Sequence, residues 1–157
     1  MKIAEAANEF LSRKRIAVTG VSSHPEGHGS NAVYTRLRDR GYTVFAVNPN
    51  ATTAEGDATY PNLASIPGGV DAVVIATAAD HAPDTMREIV DLGIDFAWMH
   101  RSFGPGSVSQ EAAELGRKAG VTVIAGGCPL MFGDVSDGGH RMMCRVMKLT
   151  GRVPRTV

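Results

Sequence analysis

One short stretch of the chain concentrates residues suited to holding an anion. Gly20 ends an apolar segment and leads into Val21-Ser22-Ser23-His24-Pro25-Glu26-Gly27-His28-Gly29-Ser30, a run of turn formers and small hydroxyls. The glycine lets the chain turn sharply, and Ser22, Ser23 and Ser30 supply compact donors. The helical pattern that follows aims its unpaired N–H groups and positive dipole end into the same space. Phosphate or diphosphate is the chemistry this combination suits. The competing reading is a plain connecting loop.

Other residues invite chemistry more weakly. His100 and Arg101 end an apolar segment, where a polar pair can touch a ligand. Cys128 follows a similar segment in Gly126-Gly127-Cys128-Pro129 and is a candidate thiol. His24 and His28 sit among Pro and Gly and could close over a phosphate, although solvent exposure is the simpler account, and His81 falls in the first turn of a helix. His140 and Cys144 are spaced i, i+4 on one helical face. With Cys128 they make three candidate ligands for a zinc ion, which needs three or four, unless Asp134 or Asp137 joins them. Buried cysteine acting as a small hydrophobe is the better reading, and no metal site is assigned.

Two familiar nucleotide patterns are missing. No Gly-x-x-x-x-Gly-Lys-[Ser/Thr] occurs, and Gly20-Val21-Ser22-Ser23-His24-Pro25 is not Gly-x-Gly-x-x-Gly. An NAD site would also place an acid at the end of the second strand for the ribose hydroxyl. Asn48, Pro49 and Asn50 stand there instead.

These residues hang on an alternating framework. Ile3 to Ser12 reads as a short amphipathic helix, and Arg15 to Gly20 as a strand. Ser30 to Arg40 is a helix closed by Gly41, and Tyr42 to Val47 a second strand. Asn50 to Gly69 has no strong period; an edge strand near Ala58 to Tyr60 and one helical turn at Asn62 to Ser65 are expected. Asp71 to Thr77 is an unbroken apolar strand, buried on both faces. Asp80 caps a helix running to Leu92, Asp95 to Met99 is a strand, and Ser107 with Gln110 forms a capping box for a helix to Ala119. Val121 to Ala125 is the last strand, and a helix from about Gly138 to Thr150 precedes a basic tail. Strand and helix in alternation imply right-handed βαβ units and a parallel sheet covered on both sides.

Composition agrees with one such domain. The chain has 157 residues, 43% of them hydrophobic and 20% charged, a mixture that excludes long-range disorder. Sixteen basic residues balance 16 acidic ones, which excludes nucleic-acid binding through a bulk positive field. No apolar run approaches the ~20 residues of a membrane helix, and no apolar signal core opens the chain. Its 2 cysteines make no disulfide framework. A soluble, cytoplasmic protein without membrane or nucleic-acid partners is expected.

Several segments together resemble the stand-alone CoA-binding domain proteins. They are Ile16-Ala-Val-Thr-Gly-Val-Ser, Gly41-Tyr-Thr-Val-Phe-Ala-Val-Asn-Pro, Tyr60-Pro-Asn-Leu-Ala-Ser-Ile-Pro, Val70-Asp-Ala-Val-Val-Ile, Ala97-Trp-Met and Ala119-Gly-Val-Thr-Val-Ile. The resemblance runs from about Arg15 to Pro129, with Asn48-Pro49 its most telling piece. It implies the Rossmann-like fold shared with the CoA-binding domain of succinyl-CoA synthetase: one doubly wound parallel α/β sheet of order 3-2-1-4-5, helices on both faces. The domain would fill 1–157, with a core at 14–129 and a C-terminal helix and tail at 130–157.

The resemblance implies coenzyme A, or an acyl-CoA, as ligand. Gly20, Ser22 and Ser23 would border the phosphates, Asn48 and Pro49 would lie along the adenosine, and Thr77 and Ala78 would face the ligand. Ser30, His100 and Arg101 join this set from the residue reading. A contribution from the 3′-phosphate would make CoA bind better than dephospho-CoA. The chain departs from its relatives at Asn50, where many carry Lys or Arg, and at His100-Arg101-Ser102, where the usual sequence is Gln-Leu-Gly. Arg101 is the candidate replacement cation.

No nucleophile–base–acid constellation appears, so the leading expectation is a non-catalytic sensor, carrier or regulatory module. One alternative is an NAD(P)- or acyl-CoA-dependent enzyme using His100 or Cys128. Another is a ligand-free interaction protein that forms a homodimer through its last helix.

Overall fold

A computed structural model describes residues Met1 to Val157. The chain forms α1 (Ile3–Ser12), β1 (Arg15–Thr19), α2 (Gly29–Asp39), β2 (Thr43–Val47), β3 (Thr53–Ala54), β4 (Asp57–Tyr60) and β5 (Ala72–Ile75). Then follow α3 (Ala82–Asp91), β6 (Phe96–Met99), α4 (Gln110–Lys118), β7 (Thr122–Ala125), two 3₁₀ turns at Pro129–Met131 and Gly133–Val135, and α5 (Gly138–Leu149). The strands lie in one sheet in the order β3-β4-β2-β1-β5-β6-β7. All neighbours are parallel except β3 and β4, which form a hairpin.

This is a doubly wound, Rossmann-like α/β sheet. The five-strand order 3-2-1-4-5 is recovered as β4-β2-β1-β5-β6, but the sheet extends past it on both sides, with β7 at one edge and β3 at the other. The hairpin strand escapes a reading by periodicity because it has only two residues. Its turn requires positive φ at both Glu55 (52°) and Gly56 (80°). Glu55 is held there by neighbours: its side chain accepts from Asn31 Nδ2 at 2.9 Å and its carbonyl from Arg38 at 2.8 Å.

The strands alternate their side chains between two cores, as the pleat demands. Ile16, Val18, Val74, Phe96, Trp98 and Ile124 point to the face covered by α1, α2, the 3₁₀ turns and α5. Ala17, Val73, Ile75, Ala97, Met99 and Val123 point to the face covered by α3 and α4. On the first face Phe10 of α1 stands edge-on to Phe96 and Trp98, with ring centroids 5.6 and 5.3 Å away. Trp98 satisfies its indole N–H on the Gly126 carbonyl at 3.0 Å.

Local starts and stops differ from expectation in three places. The α4 cap is Ser109, which accepts from Ala112 N at 3.3 Å; Ser107 instead donates its hydroxyl to the Thr77 carbonyl. The residue capping α3 is His81, without a side-chain bond, so Asp80 does not cap it. Asn62 to Ser65 is a turn closed by the Asn62 side chain accepting from Ser65 N at 2.9 Å, not a helical one. No helix is long and apolar enough to cross a membrane.

Candidate functional site

The chain leaves β1 for β2 on one side and returns to β5 on the other, so the strand order reverses at β1. Loops at the carboxyl ends part there and leave a crevice. Gly20 makes the parting feasible. Its φ is 74°, its N–H donates to Val47 O at 2.9 Å, and a Cβ on it would stand 2.9 Å from Ala76 O. Only glycine meets both demands.

Side chains then tie the loops into a frame. Thr19 Oγ1 accepts from Ala76 N at 3.0 Å, and Ser30 Oγ donates to Gly20 O at 2.8 Å. Buried Asn31 grips Ser22 twice, accepting its N–H at 2.9 Å and donating to its carbonyl at 2.8 Å. Asn48 donates to Val21 O at 2.9 Å and accepts from Asn50 N at 2.8 Å, joining the β1–α2 loop to the segment after β2.

Three adjoining clefts cross the strand ends. The deepest, of about 480 Å³, is lined by Gly20, Ser22, Asn48, Pro49 and Thr77 together with residues of α3. An open neighbour of about 430 Å³ holds Ser23, Pro49 and Asn50. A third, of about 260 Å³, holds Ser30, Thr77, Ala78 and His100. Pro49 belongs to the first two and Thr77 to the first and third, so the three form one band. Nine of the ten expected site residues therefore line it. Arg101 lines none of the three; its backbone N–H donates to Gly127 O at 2.8 Å, and its Nε is buried without a partner.

Part of this band carries polar groups with nothing to bind. His28 offers α2 no side-chain cap, and the N–H groups of Gly29, Ser30 and Asn31 donate to no group of the chain. Thr77 Oγ1 is buried and unpartnered beside them. His100 is only 8% exposed, and a Cβ at position 29 would lie 3.2 Å from its Cε1, so its ring packs against the first turn of α2. Burial alone holds its pKa down at about 4, so the imidazole is neutral at pH 7. Free helix amides, a hydroxyl and a neutral ring facing one space are a cradle for an oxyanion.

Cys128 does not share that space. It is 4% exposed in the core beneath α1, and burial pushes its thiol up to about 12, which leaves no thiolate to attack anything. Cys144 is likewise buried with its pKa raised, and His140 is bonded to Asp137 at 2.9 Å. No three His, Cys, Asp or Glu side chains gather as a metal site would require.

A family model described as a CoA binding domain matches residues 14–134. The chain belongs to the CoA-binding domain family. Among related proteins, the uncharacterised YneT of Bacillus subtilis is 31% identical over 121 residues, covering 76% of this chain and 86% of YneT. The ADP-forming acetate–CoA ligase I of Archaeoglobus fulgidus is 27% identical over 121 residues, 73% of this chain but 18% of the ligase. A hypothetical protein from Pyrococcus horikoshii has a solved structure that superposes with a TM-score of 0.74 at 26% identity, over 81% of this chain and 87% of that one. The match to the ligase spans so little of it that the shared part is the domain, not the reaction.

His28, read from sequence as more simply solvent-facing, lines both the first and third clefts, and His81 lines the first. Asn62, Asp84, Thr85 and Glu88 also line the first and escape the sequence reading. The α3 residues 81, 84, 85 and 88 recur at one-turn spacing, but nothing in the sequence says which way that face looks. Asn31 carried no signal because a polar residue in a first helical turn reads as solvent-facing.

Proposed function

We propose that the band of clefts binds coenzyme A or an acyl-CoA and that the protein acts through binding, as a sensor, carrier or regulatory module. The observation that carries this reading is the cradle at α2: three unpaired amides beside the buried, unpartnered Thr77 Oγ1 and the buried His100. A diphosphate would use those donors. The adenosine part would lie along Asn48 and Pro49, and the pantetheine arm would leave toward Ala78 and His100. Gly20 and Gly29 let backbone approach the phosphates, and the Asn31 and Asn48 clamps hold the loops in place beforehand. Cys128, the candidate thiol, is sealed in the core away from the cleft, which favours binding over turnover.

Titration calorimetry of the full chain with CoA, acetyl-CoA, NAD, NADP and ATP tests this. CoA or acetyl-CoA should bind, and Thr77→Val should weaken it. Binding of NAD or NADP alone would replace the reading with a dinucleotide one.

A homodimer through α5 is a second property we propose. Met142, Val146 and Leu149 stand 65%, 55% and 88% exposed on one stripe of that helix. Light scattering should report a dimer that Val146→Glu converts to monomer; a monomeric wild-type chain would remove the proposal.

A further inference from the structure

The charges around the adenosine end of the crevice point to a narrower ligand than the family name alone. No Lys or Arg lines the 480 Å³ cleft or its 430 Å³ neighbour. The deeper one instead presents two carboxylates, Asp84 and Glu88, from the exposed side of α3. The arginine closest in sequence, Arg87, is committed to Asp84 at 2.6 Å and to Glu111 at 2.9 Å. Arg38 pairs with Asp57 at 2.7 Å, and Arg15 is spent on the carbonyls of Pro67 and Gly69 at the amino end of β1.

A ribose 3′-phosphate carries close to two negative charges at neutral pH. Brought into this cleft it would meet like charge and no cation, and like charge disfavours it. A free ribose hydroxyl meets the opposite situation. One Glu88 oxygen accepts Ala64 N at 3.0 Å and one Asp84 oxygen accepts from Arg87, which leaves the second oxygen of each carboxylate as an acceptor. The carboxylate that dinucleotide sites place at the end of their second strand thus comes here from α3, in the cleft that Asn48 also lines.

We propose that this cleft takes an adenosine diphosphate ligand whose ribose bears free hydroxyls, so that 3′-dephospho-CoA binds at least as well as CoA. The inference rests on the nucleotide reading above and reverses the expectation that the 3′-phosphate contributes.

The test is calorimetry of the full chain with CoA and with 3′-dephospho-CoA at about pH 8. The expected result is a dephospho-CoA affinity equal to or greater than that of CoA, within a threefold margin. CoA tighter by more than threefold would overturn the proposal. Binding of neither compound would remove the nucleotide reading itself, and this inference with it. A second variant guards the result: Asn50→Lys places a cation on an exposed residue that lines both clefts. It should raise the ratio of CoA to dephospho-CoA affinity by about threefold or more, the effect of one exposed charge pair. An unchanged ratio would show that the 3′-position does not lie there, and would overturn the proposal as well.

Discussion

The two sides of the crevice are built from the same kinds of residue and use them in opposite ways. On the side between β1 and β2, every polar side chain just described is consumed: Ser30, Asn31 and Asn48 all bond to backbone. On the side between β5 and β6, Thr77 Oγ1 is buried with no partner in the chain, and the buried His100 ring packs against the first turn of α2. Buried polar groups without partners cost stability, and folds rarely keep them without reason. The first side is a frame that holds loops where they are. The second is a surface prepared for something else to bind.

That contrast can be broken by mutation, and the frame should break hardest. Gly20→Ala forces a left-handed φ on alanine and a Cβ into Ala76 O, so it should lower stability by about 3 kcal/mol in urea unfolding. His100 gives the next effect, and it depends on pH. Its pKa is held down at about 4, so the folded chain binds its proton more weakly than the unfolded one, ordinary value near 6.5. Stability is therefore complete above about pH 6.5 and falls as the pH drops through 4, by up to roughly 3 kcal/mol. His100→Gln should flatten that part of the stability–pH profile.

Asn31→Ala comes third. It strands the Ser22 N–H and carbonyl and frees Glu55, for a loss of about 2 kcal/mol and a weaker ligand through the loosened loop. Thr77→Val is the smallest change in stability and the most telling. Removing an oxygen that bonds to nothing should leave the melting temperature unchanged or slightly raised. CoA affinity should nonetheless fall about fivefold, the worth of one hydrogen bond. If Thr77→Val destabilised the chain as Asn31→Ala does, the two sides would not differ as described.

Sequence made the frame's outline legible and left its function-bearing half obscure, for physical reasons. Apolar runs reveal β1, β5 and β6 because strands buried on both faces must be continuously apolar. Gly20 and Asn48-Pro49 were readable because turn chemistry is local. Burial of His100 was not, since it depends on the β6–α4 loop closing where Gly106 approaches His100 O within 2.7 Å of a would-be Cβ. The same loop explains the misplaced cap: Ser107 and Ser109 are equivalent in sequence, and only the fold gives Ser107 the Thr77 carbonyl. Arg101 looked like a phosphate partner by position alone, yet its backbone is turned to Gly127 and it lines no cleft. Asp84 and Glu88 reach the cleft from a helix far along the chain, a placement set by how α3 packs on the sheet.

What occupies the cradle at α2 decides whether the two sides differ in this way. A crystal structure of the chain grown with CoA, or with 3′-dephospho-CoA if that binds better, tests it most directly. Density for the diphosphate is expected against the amides of Gly29, Ser30 and Asn31, within hydrogen-bond reach of Thr77 Oγ1. A nucleotide found elsewhere on the molecule, with the Thr77 hydroxyl and the α2 amides still unpaired, would contradict it.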